Sequence, residues 1–458
     1  MFGLGLTQYI PLAVYITCLI VIVLALFYKA RIGIYLVTLL IPLQSLMDKL
    51  IIFPSGKDIM DILFLAILIS IFFHKKKEEN VLPEERLNKF ILLMFPFTYS
   101  ALWIGSFKLG LSYPVNFNNP QLELWKNFIM MPLLYFMILA TIDNKRQIVF
   151  LVWIMLVTIF LMDVNFYQSQ RWISHETFLK SKRTAGSTFS YLGPNEFAAF
   201  YAMMTMFLIG LLLTTKEKLK KGAIFCLVVF NSYCILFLYS RGAYVASLVG
   251  LVFFGLTKKR SILLILLLLF IGWHTVLPKG VVERIQMTKT EEGVDPSVLA
   301  RFQLWGEAIQ EIKINPFTGV GFGSTQYLGF KTSEGSGYKS RRSLHNGYIE
   351  MIVEQGFLGL GLFLYIFCLS MKKGWSLYQQ SGDNFMKGLG LGFVGLIIAS
   401  LVANMFGNRW SYFNLMGYFW VLLGLVVKAE QLSVSEEVRV VPETVSAMNT
   451  FSRKIFKP

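Results

Sequence analysis

Cysteine is scarce in this sequence: among 458 residues there are only Cys18, Cys226, Cys234 and Cys368. Each falls inside an apolar run, where a thiol acts as a small hydrophobe, so no disulfide framework is expected. Charge is scarce as well, at 15% of residues, and acidic residues are the scarcer kind, 27 against 43 Lys and Arg. No internal repeat is visible. The first apolar run follows an uncharged octapeptide and is already of spanning length, so no cleavable leader is expected. The tail from Ala429 onward, rich in Ser, Glu, Val and Pro, is expected to be disordered.

Apolar residues are abundant. At 55% hydrophobic and a mean hydropathy of +0.58, the chain is too apolar for a soluble globular protein. Stretches of spanning or near-spanning length occur at 9–28, 32–47, 59–73, 87–104, 122–141, 147–161, 192–213, 222–239, 242–256, 261–277, 345–370, 385–403 and 412–427. The expected fold is an all-α polytopic membrane protein with about 12–13 transmembrane helices. Its divisions are an N-terminal transmembrane bundle (1–277), a large loop with short helices (278–344), C-terminal transmembrane helices (345–427) and a tail (428–458).

The basic residues orient this bundle. Alternate short connections hold Lys29 and Arg31, the run HKKKEE with Arg86, Lys145 and Arg146, KEKLKK, TKKR, and Lys372 with Lys373. The opposite connections, including those around Arg241 and Arg409, are more sparsely basic. The positive-inside bias puts the first set and the C-terminus in the cytoplasm, and the 278–344 loop outside. The net charge of +16 is mostly this bias, which removes the case for nucleic-acid binding.

Chemistry concentrates near the large loop. In 299–313 the residues Leu299, Phe302, Trp305, Ile309 and Ile312 recur at helical spacing, predicting a surface helix that carries Arg301. Pro316 and the run Gly319, Gly321, Gly323 end it in closely approachable backbone. A basic patch follows (Lys339, Arg341, Arg342), then His345 and Asn346 open an apolar stretch. Within that stretch Glu350 and Glu354 lie at i, i+4; pairing with a basic residue on a neighbouring span is the expected role. Gly356, Gly359 and Gly361 would permit close helix contact. Upstream, Lys182 and Arg183 precede a turn leading to Gly193, Pro194, Asn195 and Glu196. This reads either as a Pro-initiated helix start or as a basic, amide-rich lip at the outer interface. Arg241, on the side that the bias disfavours and with no acidic neighbour in sequence, either snorkels or serves function; function is the preferred reading. Asp58 and Asp61 are read as first-turn residues that cap and complement the helix dipole.

The run LHNGYIEMIVEQGFLG, with His345, Asn346, nine residues, Gly356 and Gly359, resembles the O-antigen ligase family, which shares its motifs with repeat-unit polymerases and protein O-oligosaccharyltransferases. RTAGSTFSYLGPNEFA, LYSRGAYVA, ARFQLWGEAI and NPFTGVGFGS resemble it in the same order. The resemblance implies a GT-C-type glycosyltransferase of the bacterial inner membrane. It would move a glycan from undecaprenyl pyrophosphate to a hydroxyl on lipid A core, another glycan or a protein. It also implies His345 as base and Arg241, Arg301 and Arg183 as pyrophosphate ligands, with Asn346, Asn195 and Glu350 in support. No cofactor is called for. Scattered acids and the lack of an Asp-x-Asp at the outer site point away from a metal. A transporter of lipid-linked sugars would need cations continuing toward the cytoplasmic side.

The topology is open to test. A reporter fused within 291–297 is expected to read as extracytoplasmic and one fused after Lys428 as cytoplasmic; a cytoplasmic reading at the first position would overturn the orientation.

Overall fold

The computed structural model describes residues 9–74, 85–116, 118–175, 177–178, 193–287, 289–290, 293–294, 296–328 and 343–433. All thirteen apolar stretches fall on helices: α1 (Ile10–Phe27), α2 (Ala30–Leu40) with α3 (Gln44–Asp48), α4 (Ile59–His74), α5 (Arg86–Leu109), α6 (Pro120–Thr141), α7 (Lys145–Gln170), α8 (Pro194–Thr214), α9 (Lys218–Phe237), α10 (Arg241–Thr257), α11 (Ser261–Val276), α14 (Gly347–Gln380), α15 (Asn384–Ala403) and α16 (Phe413–Ser433). Two further helices, α12 (Lys279–Gln286) and α13 (Pro296–Ile314), lie in the expected large loop. Between them Lys289–Thr290 and Gly293–Val294 pair as a two-residue antiparallel ladder. Among the described residues, nine helices are long and apolar enough to cross a membrane, and eleven if each of two bent pairs counts as one span. The bends are 102° between α2 and the segment Gln44–Ile52, and 104° between α11 and α12.

The packing follows from small residues. A side chain on Gly210 of α8 would come within 2.2 Å of the Gly392 Cα of α15, so the two backbones touch at this point. Close approach of this kind is what joins helices in lipid, where no hydrophobic drive acts between them. α8 is the central helix, with 89% of its apolar window buried, whereas α11 has no buried residue and presents its Leu and Ile side chains outward.

The two ends of the bundle differ in their pairing. At one end Lys145 meets Asp383 at 2.6 Å, Arg31 meets Asp143 at 3.7 Å, and Lys373 meets Glu430 at 2.6 Å and Glu85 at 3.1 Å. These residues lie in or beside connections that the basic bias assigns to the cytoplasm. The His345 segment, α13 and the 404–412 connection occupy the other end.

Several boundaries differ from those read in the sequence. α7 continues to Gln170, so Asp163 lies inside a helix rather than at the start of a loop; its buried carboxylate sits against the Asn231 amide and the Cys234 thiol. α16 continues to Ser433 with Ala429 buried, because Lys373 and Ser376 bind Glu430, so the tail is ordered at least that far. α14 runs ten residues past the expected end at 370. Asp61 lies in the first turn of α4, as expected, and in addition pairs with Lys126 of α6, while Asp58 closes a short 3-10 turn, Gly56–Asp58.

The main irregularity is a break in α14 at Gly356, whose φ of 66° is left-handed. The glycine-rich turn fills it. Phe357 N–H donates to the Pro316 carbonyl at 2.8 Å, and Val320 and Gly321 N–H donate to the carbonyls of Val353 and Glu354 at 2.8 and 2.9 Å. Gly319 (φ 65°) and Gly321 (φ 121°) are required by this docking. Side chains there would stand 2.4 Å from the Glu354 backbone and 2.3 Å from the Gly105 Cα of α5. Of the glycines expected to pack, Gly356 does so against Phe317, but a side chain at Gly361 would meet nothing within 4 Å.

Gly321→Ala is therefore expected to cost roughly 1–3 kcal/mol from left-handed strain and collision, seen as a lower melting temperature in detergent. Gly361→Ala is expected to cost nothing measurable. Equal melting temperatures for the two variants would contradict this reading of the turn.

Candidate functional site

His345 sits in a backbone conformation that an L-residue rarely adopts, φ 51°. Three neighbours hold it there. The Trp305 indole N–H of α13 donates to the Leu344 carbonyl at 2.8 Å. Glu350 accepts from Leu344 N–H at 3.3 Å and from the Ser343 hydroxyl at 3.2 Å. Asn346 caps α14, its Oδ1 accepting from the N–H groups of Tyr348 and Ile349 at 3.0 and 3.2 Å. Strain sustained by surrounding contacts is a mark of functional sites.

The helical spacing explains the cations around it. Arg301 precedes Trp305 by four residues and so shares its face of α13. With the indole on the chain one residue before His345, Arg301 is carried into the field of the imidazole. Leu304 and Ala308 turn inward on the same helix, while Leu299, Phe302 and Ile309 stay exposed, in keeping with a helix on a surface.

A second cation, Arg409, comes from the 404–412 connection. It is 3% exposed, and its guanidinium pairs with Glu196 in the first turn of α8. Its backbone is fixed by Asn404, whose Oδ1 accepts Arg409 N–H at 2.9 Å, and by Trp410, stacked on Phe363 at 4.2 Å. Among the described residues its Nε has no hydrogen-bond partner.

His345 is exposed at the surface, yet partial desolvation by the protein groups around its imidazole pushes it below its ordinary value of 6.5. Arg301 pushes in the same direction, Glu196 opposes, and Arg409 adds to the depression. Both cations disfavour a third positive charge. The imidazole is accordingly neutral near pH 7 and able to accept a proton.

Arg241 opens α10 beside this group. A side chain on the adjacent Gly242 would stand 2.7 Å from Phe406, three residues before Arg409. Tyr239, just before it, is also left-handed at φ 52°. Its hydroxyl lies 3.0 Å from His175 Nδ1, and its carbonyl accepts from Arg284 Nε of α12 at 3.4 Å. Asn195 lies in the first turn of α8 next to Glu196, half-buried. Arg183 and the patch Lys339, Arg341 and Arg342 lie outside the described residues.

The structure thus brings Arg301 to His345 and Arg241 to the connection that carries Arg409. The two glutamates depart from expectation. Neither is held by a basic side chain among the described contacts: Glu350 also takes an Asn408 amide at 2.7 Å, and Glu354 takes the Thr325 hydroxyl at 2.6 Å. One turn apart, they clasp Ser343 and Thr325, either side of the 329–342 segment. Sequence reading did not single out Arg409 or Glu196 for the site. The only available signal was an arginine on the sparsely basic side.

Replacing Arg301 with Gln removes one depressing charge, so the His345 pKa is expected to rise. At a fixed pH near 6 less neutral imidazole is then present, and diethyl pyrocarbonate, read at His345 by mass spectrometry, should label it more slowly. Unchanged or faster labelling would show that Arg301 does not act on His345.

Residues 226–364 match the sequence model of a family described as O-Antigen ligase. Proteins of Rickettsia felis and Rickettsia typhi, each named a "putative polysaccharide ligase", are 27% identical over 143 residues, 30% of this chain. A Rickettsia bellii protein of the same name is 26% identical over 152 residues, 32% of this chain. The aligned stretch spans 34% of each relative's length. Arg241, Arg301 and His345 all lie within the matched segment, and through that segment this chain is related to the O-antigen ligase family.

Proposed function

We propose that the protein transfers a glycan from an undecaprenyl-pyrophosphate carrier to an acceptor hydroxyl at the extracytoplasmic face of a bacterial inner membrane, as an O-antigen ligase joining O-antigen to lipid A core. The observation that carries this reading is a left-handed histidine with the half-buried Arg301 and the buried Arg409 in its field at one end of a membrane bundle. The site lies opposite the basic connections, which supports an extracytoplasmic position with the C-terminus in the cytoplasm. The names of the relatives support a glycan as the group moved.

The chemistry follows from the arrangement. A polyprenyl diphosphate needs an apolar surface for its tail and fixed cations near headgroup depth. Guanidinium groups bind phosphate oxygens bidentately and stay charged. Arg241 and Arg301 would hold the pyrophosphate, with Arg183 as a third ligand and Arg409 adding positive potential from behind. His345 would take the acceptor hydroxyl proton as that oxygen bonds to the anomeric carbon. The bond from that carbon to the pyrophosphate breaks, and the electron pair leaves with the phosphate, stabilised by the arginines. Attack opposite the leaving group inverts the anomeric centre. Among the described residues, no three His, Cys, Asp or Glu are placed to hold a metal ion, and our reading has the arginines neutralise the leaving group. Asn346 and Glu350 serve by holding His345.

The test separates the roles. Because residue 345 is left-handed, His345→Asn removes the imidazole while tolerating the backbone, and His345→Ala adds strain. His345→Asn is expected to bind the lipid-linked donor normally and to lose turnover by roughly two to four orders of magnitude. Arg241→Ala and Arg301→Ala should weaken donor binding as well as turnover, with Lys restoring each only in part. Turnover should survive excess EDTA. Near-normal turnover in folded His345→Asn would refute the base assignment.

A further inference from the structure

A cavity of about 760 Å³ opens beside the His345 segment, and its described lining includes Ser343 and Glu350 but no arginine. Its walls come from the α2–α3 bend, the start of α4, the first turns of α6, the turn at Phe322–Gln326 and the 408–414 connection. Ser343 and Glu350, which fix the backbone of His345, form the shared wall. The volume is within the usual range for a small-molecule site, roughly 300–1,000 Å³.

Among the described residues, the lining is of the opposite sign to the donor side. Asp48, Asp58, Asp61 and Glu123 face Lys57 and Lys126, and Lys126 is already paired with Asp61. Glu350 and Glu354 add carboxyl oxygens whose bonds come from neutral donors. Asn127 and Gln326 supply amides, and Tyr412 an aromatic ring. Carboxylates and amides in this density suit the many hydroxyls of a sugar, which both donate and accept. Among the described residues, a phosphate or carboxylate on the ligand would face like charge with only Lys57 and Lys126 to meet it.

Building on the transferase reading, we infer that this cavity holds the acceptor, and that it selects a neutral or amine-bearing glycan over a phosphorylated or acidic one. His345 then stands at a boundary between a cationic half that retains the pyrophosphate and an anionic half that receives a hydroxyl-rich sugar. The partition also keeps the anionic carrier out of the acceptor half. Polar complementarity of this kind discriminates chiefly by the ligand it repels.

The test is binding without donor, using full-length protein in nanodiscs and three fluorescent trisaccharides: a neutral hexose trimer, the same trimer with one free amine, and the same trimer with one phosphate. The first two are expected to bind at least about tenfold more tightly than the third, equivalent to one decade in Kd. The double variant Asp58→Asn, Glu123→Gln removes two charges from exposed positions at the cavity mouth. It should narrow that gap several-fold while leaving undecaprenyl-pyrophosphate binding unchanged, which also reports that the fold is intact. Equal or tighter binding of the phosphorylated trimer would overturn the inference, as would a gap that the double variant does not alter or no binding of any trimer. Because no turnover is measured, a failed base assignment at His345 leaves this result readable, and the reverse also holds.

Discussion

The backbone exchange at Gly356 is the constraint on which the site depends. A transmembrane helix normally closes its own hydrogen bonds, since lipid offers none. Here the Val353 and Glu354 carbonyls instead accept from Val320 and Gly321, and Phe357 N–H turns outward to Pro316. Irregular backbone at this depth persists because another segment of the protein satisfies it. The exchange also locks the loop after α13 onto the span that carries His345. From there Trp305 reaches Leu344, Arg301 reaches the field of the imidazole, and the two glutamates reach both ends of the loop.

Around that lock, charge is sorted by helix origin. The arginines come from α10, α13 and the α15–α16 connection, whereas the carboxylates of the cavity come mainly from the α2–α4 region and α6. Glu350 belongs to both, since one of its oxygens takes the Asn408 amide and the other takes the chain beside His345. On the proposed reading, an imidazole between opposite fields suits proton transfer from an alcohol, because the site would neither charge it in advance nor leave the departing anion unmatched.

Much of this was legible in the sequence, and the exceptions share a physical cause. The apolar stretches marked every spanning helix because period and composition are local properties. That Arg301 would share a helix face and that Asn346 would open α14 was legible because helical spacing and capping are local too. The pairing of Arg409 with Glu196 spans 213 residues and leaves no local trace. Gly356 reads as one small residue in an apolar run, since sequence does not show that a distant loop will occupy the break. Asp163 fell outside the apolar stretch 147–161 because a carboxylate is costly in a span; its cost is offset by Asn231 and Cys234 from α9, the latter 71 residues away in sequence. The end of α16 was missed because Glu430 and Gln431 read as solvated tail, whereas Lys373 holds Glu430 in place.

The break in α14 also bears on how the chain is assembled. The turn at 316–321 is synthesised before α14, yet each supplies the other's missing hydrogen bonds. Until they meet, the Val353 and Glu354 carbonyls have the N–H groups of Phe357 and Leu358, four residues on, as their ordinary helical partners, so α14 can form unbroken and be opened by the turn. The second half of α14 can insert as an ordinary apolar helix, but the first half reaches its final form only when the turn folds back onto it. Assembly therefore has an order: the turn and the span are each made first, and the docking of one on the other comes last. The left-handed backbone at residue 345 is set in place only by that last step.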